Sequence, residues 1–146
     1  MSINKNIVLV SLISIVFGGF NFMVFMLSSK PTIIQGFISV AFVIMWFLYG
    51  FLMAHKKMKY CFRFITLYWS IGVALTLIAF GLNLYVLSIP LSCIFVTPLY
   101  GLRYFFKEPI DSNFLNYAMF ITYLFAVLGC FLGKTVKPTS YNVSSM

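Results

Sequence analysis

Between Arg63 and Arg103 the chain runs for 39 residues without one charged side chain. A single α-helix of that length would be about 60 Å long, twice the thickness of a hydrocarbon core of about 30 Å. The stretch is therefore expected to fold as two apolar helices joined by a tight turn. Gly81, Asn83, Ser88 and Pro90 are the helix breakers in the right place.

The rest of the chain follows the same logic. Hydrophobic residues make up 62% of it and charged residues 8%, against about half and about a quarter in a soluble domain. A chain this apolar would expose large greasy patches in water and aggregate, so its expected solvent is lipid. Only Glu108 and Asp111 are acidic, which removes most chemistry that depends on a buried carboxylate.

The expected fold is all-α, a polytopic transmembrane helix bundle. Five spans are expected, at about 7–27, 32–54, 62–84, 90–106 and 113–133. They form a single transmembrane domain over 1–133, followed by a flexible polar tail, 134–146, that contains Pro138. The first span reads as an uncleaved signal anchor, because Phe17-Gly18-Gly19-Phe20-Asn21 is a poor small-residue cleavage sequence. Pro31 suits the first position of the second helix, and Pro98 should kink the fourth. The alternative is four spans, with the region around 88–106 re-entrant or lying in the interface.

Basic residues cluster between the apolar runs, and the positive-inside rule puts the amino terminus in the cytoplasm. With five spans, that side holds Lys5, Lys56, Lys57, Lys59, Arg63, Arg103 and Lys107, and the other holds Lys30, Lys134 and Lys137. With four spans, Arg103 and Lys107 exchange sides with Lys134 and Lys137. The split is seven to three either way, so charge does not choose between the two. The net charge of +8 is spread over short clusters rather than one face, so no nucleic-acid partner is expected. Eight Lys to two Arg, with abundant Ile, Phe and Asn, is the bias of an AT-rich genome and suits a bacterial plasma membrane.

Four groups of residues are candidates for function. Lys56, Lys57, Lys59 and Arg63 follow the only histidine, His55, and are placed to hold anionic lipid headgroups. Arg103, Lys107, Glu108 and Asp111 are the one place where acids and bases meet, and form a candidate ligand site. Ala126, Gly129 and Gly133 have the small-residue spacing that lets two helix backbones approach, within the chain or between chains. Asn21, Gln35, Thr66, Ser70, Thr76, Asn83, Ser92, Thr97, Asn116 and Thr122 are polar positions inside expected spans. They serve either helix adhesion or a path for a polar solute.

Cys61, Cys93 and Cys130 lie far apart with no CxxC, and are expected to be buried free thiols acting as small hydrophobes. No metal set, cofactor motif or catalytic set is present, and the balance leans away from an enzyme. The expected function is binding within the membrane, as an accessory or assembly subunit or an immunity-type protective protein. Its expected partners are a bilayer with anionic lipids and either another membrane protein or further copies of itself. A small transporter or channel component is the first alternative. An interfacial enzyme on a lipid-borne substrate is the second.

Overall fold

The structure is a computed structural model that describes residues 3–56, 58, 60–106 and 114–136. Lys57, Lys59, Lys107, Glu108 and Asp111, and the tail from 137 onward, lie outside the described residues. Every regular element among the described residues is helical. Its elements are α1 (Ile3–Met26), α2 (Ile33–His55), α3 (Cys61–Gly81), α4 (Tyr85–Leu91), a π-helical turn (Ser92–Val96), α5 (Thr97–Tyr100), a 3₁₀ turn (Gly101–Phe105) and α6 (Phe114–Thr135). Pieces four to seven form one continuous helical segment, Tyr85–Phe105. With it, five helices are long and apolar enough to cross a membrane.

Local chemistry sets the ends. The helix α2 starts with a capping box: Thr32 accepts from the backbone of Gln35, and the Gln35 side chain accepts from the backbone of Thr32. Pro31 therefore precedes the cap instead of opening the helix. Both α1 and α3 end in a left-handed residue, Ser28 (φ 50°) and Asn83 (φ 53°). At each end the next amide reaches back to close a Schellman motif, Ser29 to Val24 and Leu84 to Ala79. Asn83 is thus a turn residue, and Ser88 and Pro90 lie inside the following helix.

Side-chain pairs give the helix directions. Phe17 meets Phe42, and Asn21 donates to Ser39 at 3.1 Å, so α1 and α2 are antiparallel. Tyr49 meets Phe64 and Trp46 meets Trp69, so α3 also opposes α2. Phe62 meets Phe131 and Thr66 meets Tyr123, so α6 opposes α3 and runs parallel to α2. One end of the bundle, the turn end, therefore holds the α1–α2 connection, the end of α3 and the start of α6. The other, the amino-terminal end, holds the start of α1, the α2–α3 connection and the end of α6.

The segment Tyr85–Phe105 has both of its ends at the turn end. It starts four residues after Gly81. It finishes with Tyr100 bonded to Ser29 and Phe105 packed on Gly36. Midway, the carbonyl of Cys93 abuts Gly18 and the ring of Phe95 abuts Gly72. Those glycines lie about 12 Å inside the bundle, at about 1.5 Å per residue from Met26 and Gly81. The segment bends where its hydrogen-bond ladder breaks. Pro90 and Pro98 carry no N–H, and the Thr97 amide reaches five residues back to Ser92. The kink expected at Pro98 is thus present as a π-turn on its amino-terminal side. The count of five membrane-length helices matches the expected five spans, and the fourth of them turns back to the end of the bundle where it began.

One expectation is overturned. Cys61 and Cys130 are not free but joined by a disulfide between the first residue of α3 and the late part of α6, with Cα atoms 6.6 Å apart. Tertiary packing of α3 on α6 brings together two thiols separated by 69 positions, a proximity no local spacing announces. Cys93 alone is free.

Candidate functional site

The small residues of α6 are used inside the chain. A methyl group added to Gly129 would strike the carbonyl of Phe47, one on Gly133 that of Phe51, and one on Gly50 that of Ala126. The two parallel backbones are therefore in contact along this seam, the most extensive helix pair of the bundle. Gly50 is the partner that the sequence pattern did not single out.

Around the seam lies an aromatic core. Trp46 and Trp69 approach to 5.1 Å between ring centroids, and Tyr68 sits 5.2 Å from both Trp46 and Phe95. Trp46 Nε1, Trp69 Nε1, Asn21 Oδ1 and the Tyr49 hydroxyl are buried without a hydrogen-bond partner among the described residues, while the Tyr68 hydroxyl lies against the hydroxyls of Ser11 and Ser14.

Most polar residues within the helices satisfy themselves locally. Thr76, Ser92, Thr97 and Thr122 each donate to the carbonyl four residues earlier. Asn21 pairs with Ser39, Thr66 with Tyr123, and Gln35 with the cap and the carbonyl of Phe20. They form separate pairs rather than a column. Ser70 and Asn116 differ: both are exposed, and both line one groove of about 450 Å³ on the outer surface between α3 and α6, among Trp69, Leu77, Phe120 and Tyr123.

A second cleft, of about 550 Å³, opens between α1 and α3, which barely touch. Tyr60 and Arg63 stand at its amino-terminal end, Leu67 and Ile71 along its rim, and Ile94 and Phe95 of the π-turn among its lining. Neither cleft was apparent from sequence, because each is made by helices far apart in the chain.

The expected charged cluster is only partly described. Arg103 donates to the hydroxyl of Tyr100 at 2.8 Å and lies over its ring, 5.1 Å from the centroid. Tyr100 in turn donates to the Ser29 carbonyl. Here Arg103 fastens the returning segment to the α1–α2 turn. Of the basic loop, Lys56 caps α2 and is exposed, Arg63 is exposed at the cleft, and His55 stacks on Phe51. Among the described residues no three His, Cys, Asp or Glu residues group as a metal set would.

Fold and surface together define a class: a helical bundle of five membrane-length apolar helices, closely packed within and grooved on its outside. No family model, curated protein or solved structure matches the chain.

Proposed function

We propose that this is an integral membrane protein that works by binding inside the bilayer, as an accessory or assembly subunit or an immunity-type protective protein. The observation that carries this is the α3–α6 groove. Ser70 and Asn116 face outward there, among aromatic and aliphatic walls. Exposed polar side chains on a membrane helix find hydrogen-bond partners on neighbouring helices, each bond worth about 0.6 to 2 kcal/mol. A polar group on a neighbouring helix meets that need. The small-residue seam of α6 is already occupied by α2, so the partner surface lies on this other face. Local pairing of the remaining polar residues favours binding over conduction.

The same proposal sets the orientation. With Tyr85–Phe105 re-entrant, the chain crosses four times and both termini lie on one side. That side then carries Lys5, Lys56, Lys57, Lys59, Arg63, Lys134 and Lys137 by sequence position, which favours the cytoplasm by the positive-inside rule, against the Cys61–Cys130 disulfide at the same end, a bond rare in a reducing compartment. The test is a photo-reactive amino acid at Leu77, at the groove, followed by mild-detergent purification. Covalent capture of one defined membrane protein, lost with Asn116→Leu, is the expected result. Recovery of the chain alone, without any protein adduct, overturns the proposal.

A further inference from the structure

The α1–α3 cleft has a shape that narrows what occupies it. Its lining runs along α3 from Arg63 to Ile71, eight residues or about 12 Å. Ile94 and Phe95 of the π-turn stand beside the deep part of this lining. The described part of the cleft is thus about half the thickness of a hydrocarbon core of about 30 Å. A transmembrane helix of a partner protein needs a groove along the full thickness. One acyl chain of a lipid in a single leaflet needs half.

The charge at the open end agrees. Arg63, third residue of α3, is exposed at the cleft, and Lys56, Lys57 and Lys59 precede it in the chain. A basic residue at this level adds about 1 kcal/mol of attraction for an anionic headgroup. The walls below are Phe64, Leu67, Ile71 and Phe95. Deeper polar atoms are also present: Ser11 and Tyr68 line the cleft, and their hydroxyls lie against each other.

We infer that the α1–α3 cleft is a binding site for one anionic phospholipid of the cytoplasmic leaflet, its phosphate on Arg63 and one acyl chain lying along α3 toward Phe95. The inference rests on the membrane-binding function proposed above and adds a ligand class and a second, separate site. The returning segment thereby gains a role, since its π-turn supplies the wall that limits the chain.

The test uses the full chain reconstituted in vesicles of equal parts phosphatidylglycerol and phosphatidylcholine, re-extracted in mild detergent and weighed intact by native mass spectrometry. One phosphatidylglycerol per chain is expected to survive extraction, undisturbed by added inorganic phosphate. Arg63→Gln lowers its retention about fivefold, and Leu67→Trp, at the exposed rim, abolishes it. Lys134→Gln, a cation at the same end but outside the cleft, leaves it unchanged. Equal retention of phosphatidylcholine, retention insensitive to Arg63→Gln, or an equal loss with Lys134→Gln overturns the inference. So does a co-purifying protein seated in place of the lipid. Loss of this site leaves capture at Leu77 unaffected, so the two proposals fail separately.

Discussion

Tyr100 donates a hydrogen bond to the backbone carbonyl of Ser29, 71 positions away in the chain, at 3.1 Å. It also accepts one from Arg103 at 2.8 Å. The hydroxyl thus joins the returning segment to the turn between α1 and α2. Tyr100→Phe removes both bonds and leaves the carbonyl and the guanidinium to find other partners. We expect a loss of about 1 to 3 kcal/mol, read from unfolding in mixed micelles. An unchanged midpoint would show that the contact contributes nothing.

The path of Tyr85–Phe105 predicts the side of the carboxyl terminus. A cytoplasmic reporter fused after Met146 should be active. A cysteine at Ser28, in a chain whose native cysteines are replaced, should react with an impermeant maleimide from the opposite side. A carboxyl-terminal reporter that works only outside the cell would rule out the re-entrant path.

The α2–α6 seam predicts a contrast between glycines. Gly129→Val places side-chain atoms against the Phe47 carbonyl. Its expected cost is about 1 to 3 kcal/mol of overpacking or failure to accumulate in membranes. Gly19 has open space where its Cβ would be, and Gly19→Ala should change stability by less than about 0.5 kcal/mol. Equal tolerance of both substitutions would mean the seam is not closely packed.

The disulfide closes a loop of 69 residues, for which chain entropy allows up to about 4 kcal/mol. Helices already held in a bilayer lose less freedom on folding, so the gain should fall below that ceiling. Cys61→Ala and reducing agent should each lower the thermal midpoint of the purified protein, and reductant should have no further effect on the variant. A reductant shift that persists in Cys61→Ala would assign it elsewhere.

The apolar runs foretold the helices, because membrane length and charge-free composition are properties of single segments. Helix ends were legible where a side chain acts on its own neighbours. The start of α2 shows the limit: Pro31 reads as its first residue and Gln35 as a polar residue inside the span, whereas Thr32 and Gln35 form the cap. The direction of the fourth segment was not legible, since both topologies divide the cations seven to three. Gly50 facing Ala126, Cys61 joined to Cys130, and Tyr68 against Phe95 each require helices distant in sequence to meet, which no local spacing encodes. The charged loop at Glu108 and Asp111 stood out in the sequence, but it lies outside the described residues.

The bend at Ser92–Val96 also bears on how the chain is made. Backbone groups freed from a helical ladder are costly in hydrocarbon unless other protein covers them. The Cys93 carbonyl is sheltered against α1 at Gly18, and Gly101 lies on the Gln35 carbonyl of α2. The covering of this bend by α1 and α2 means that the segment's lowest-energy path exists only in their company, so a fragment lacking the first two helices should not keep it.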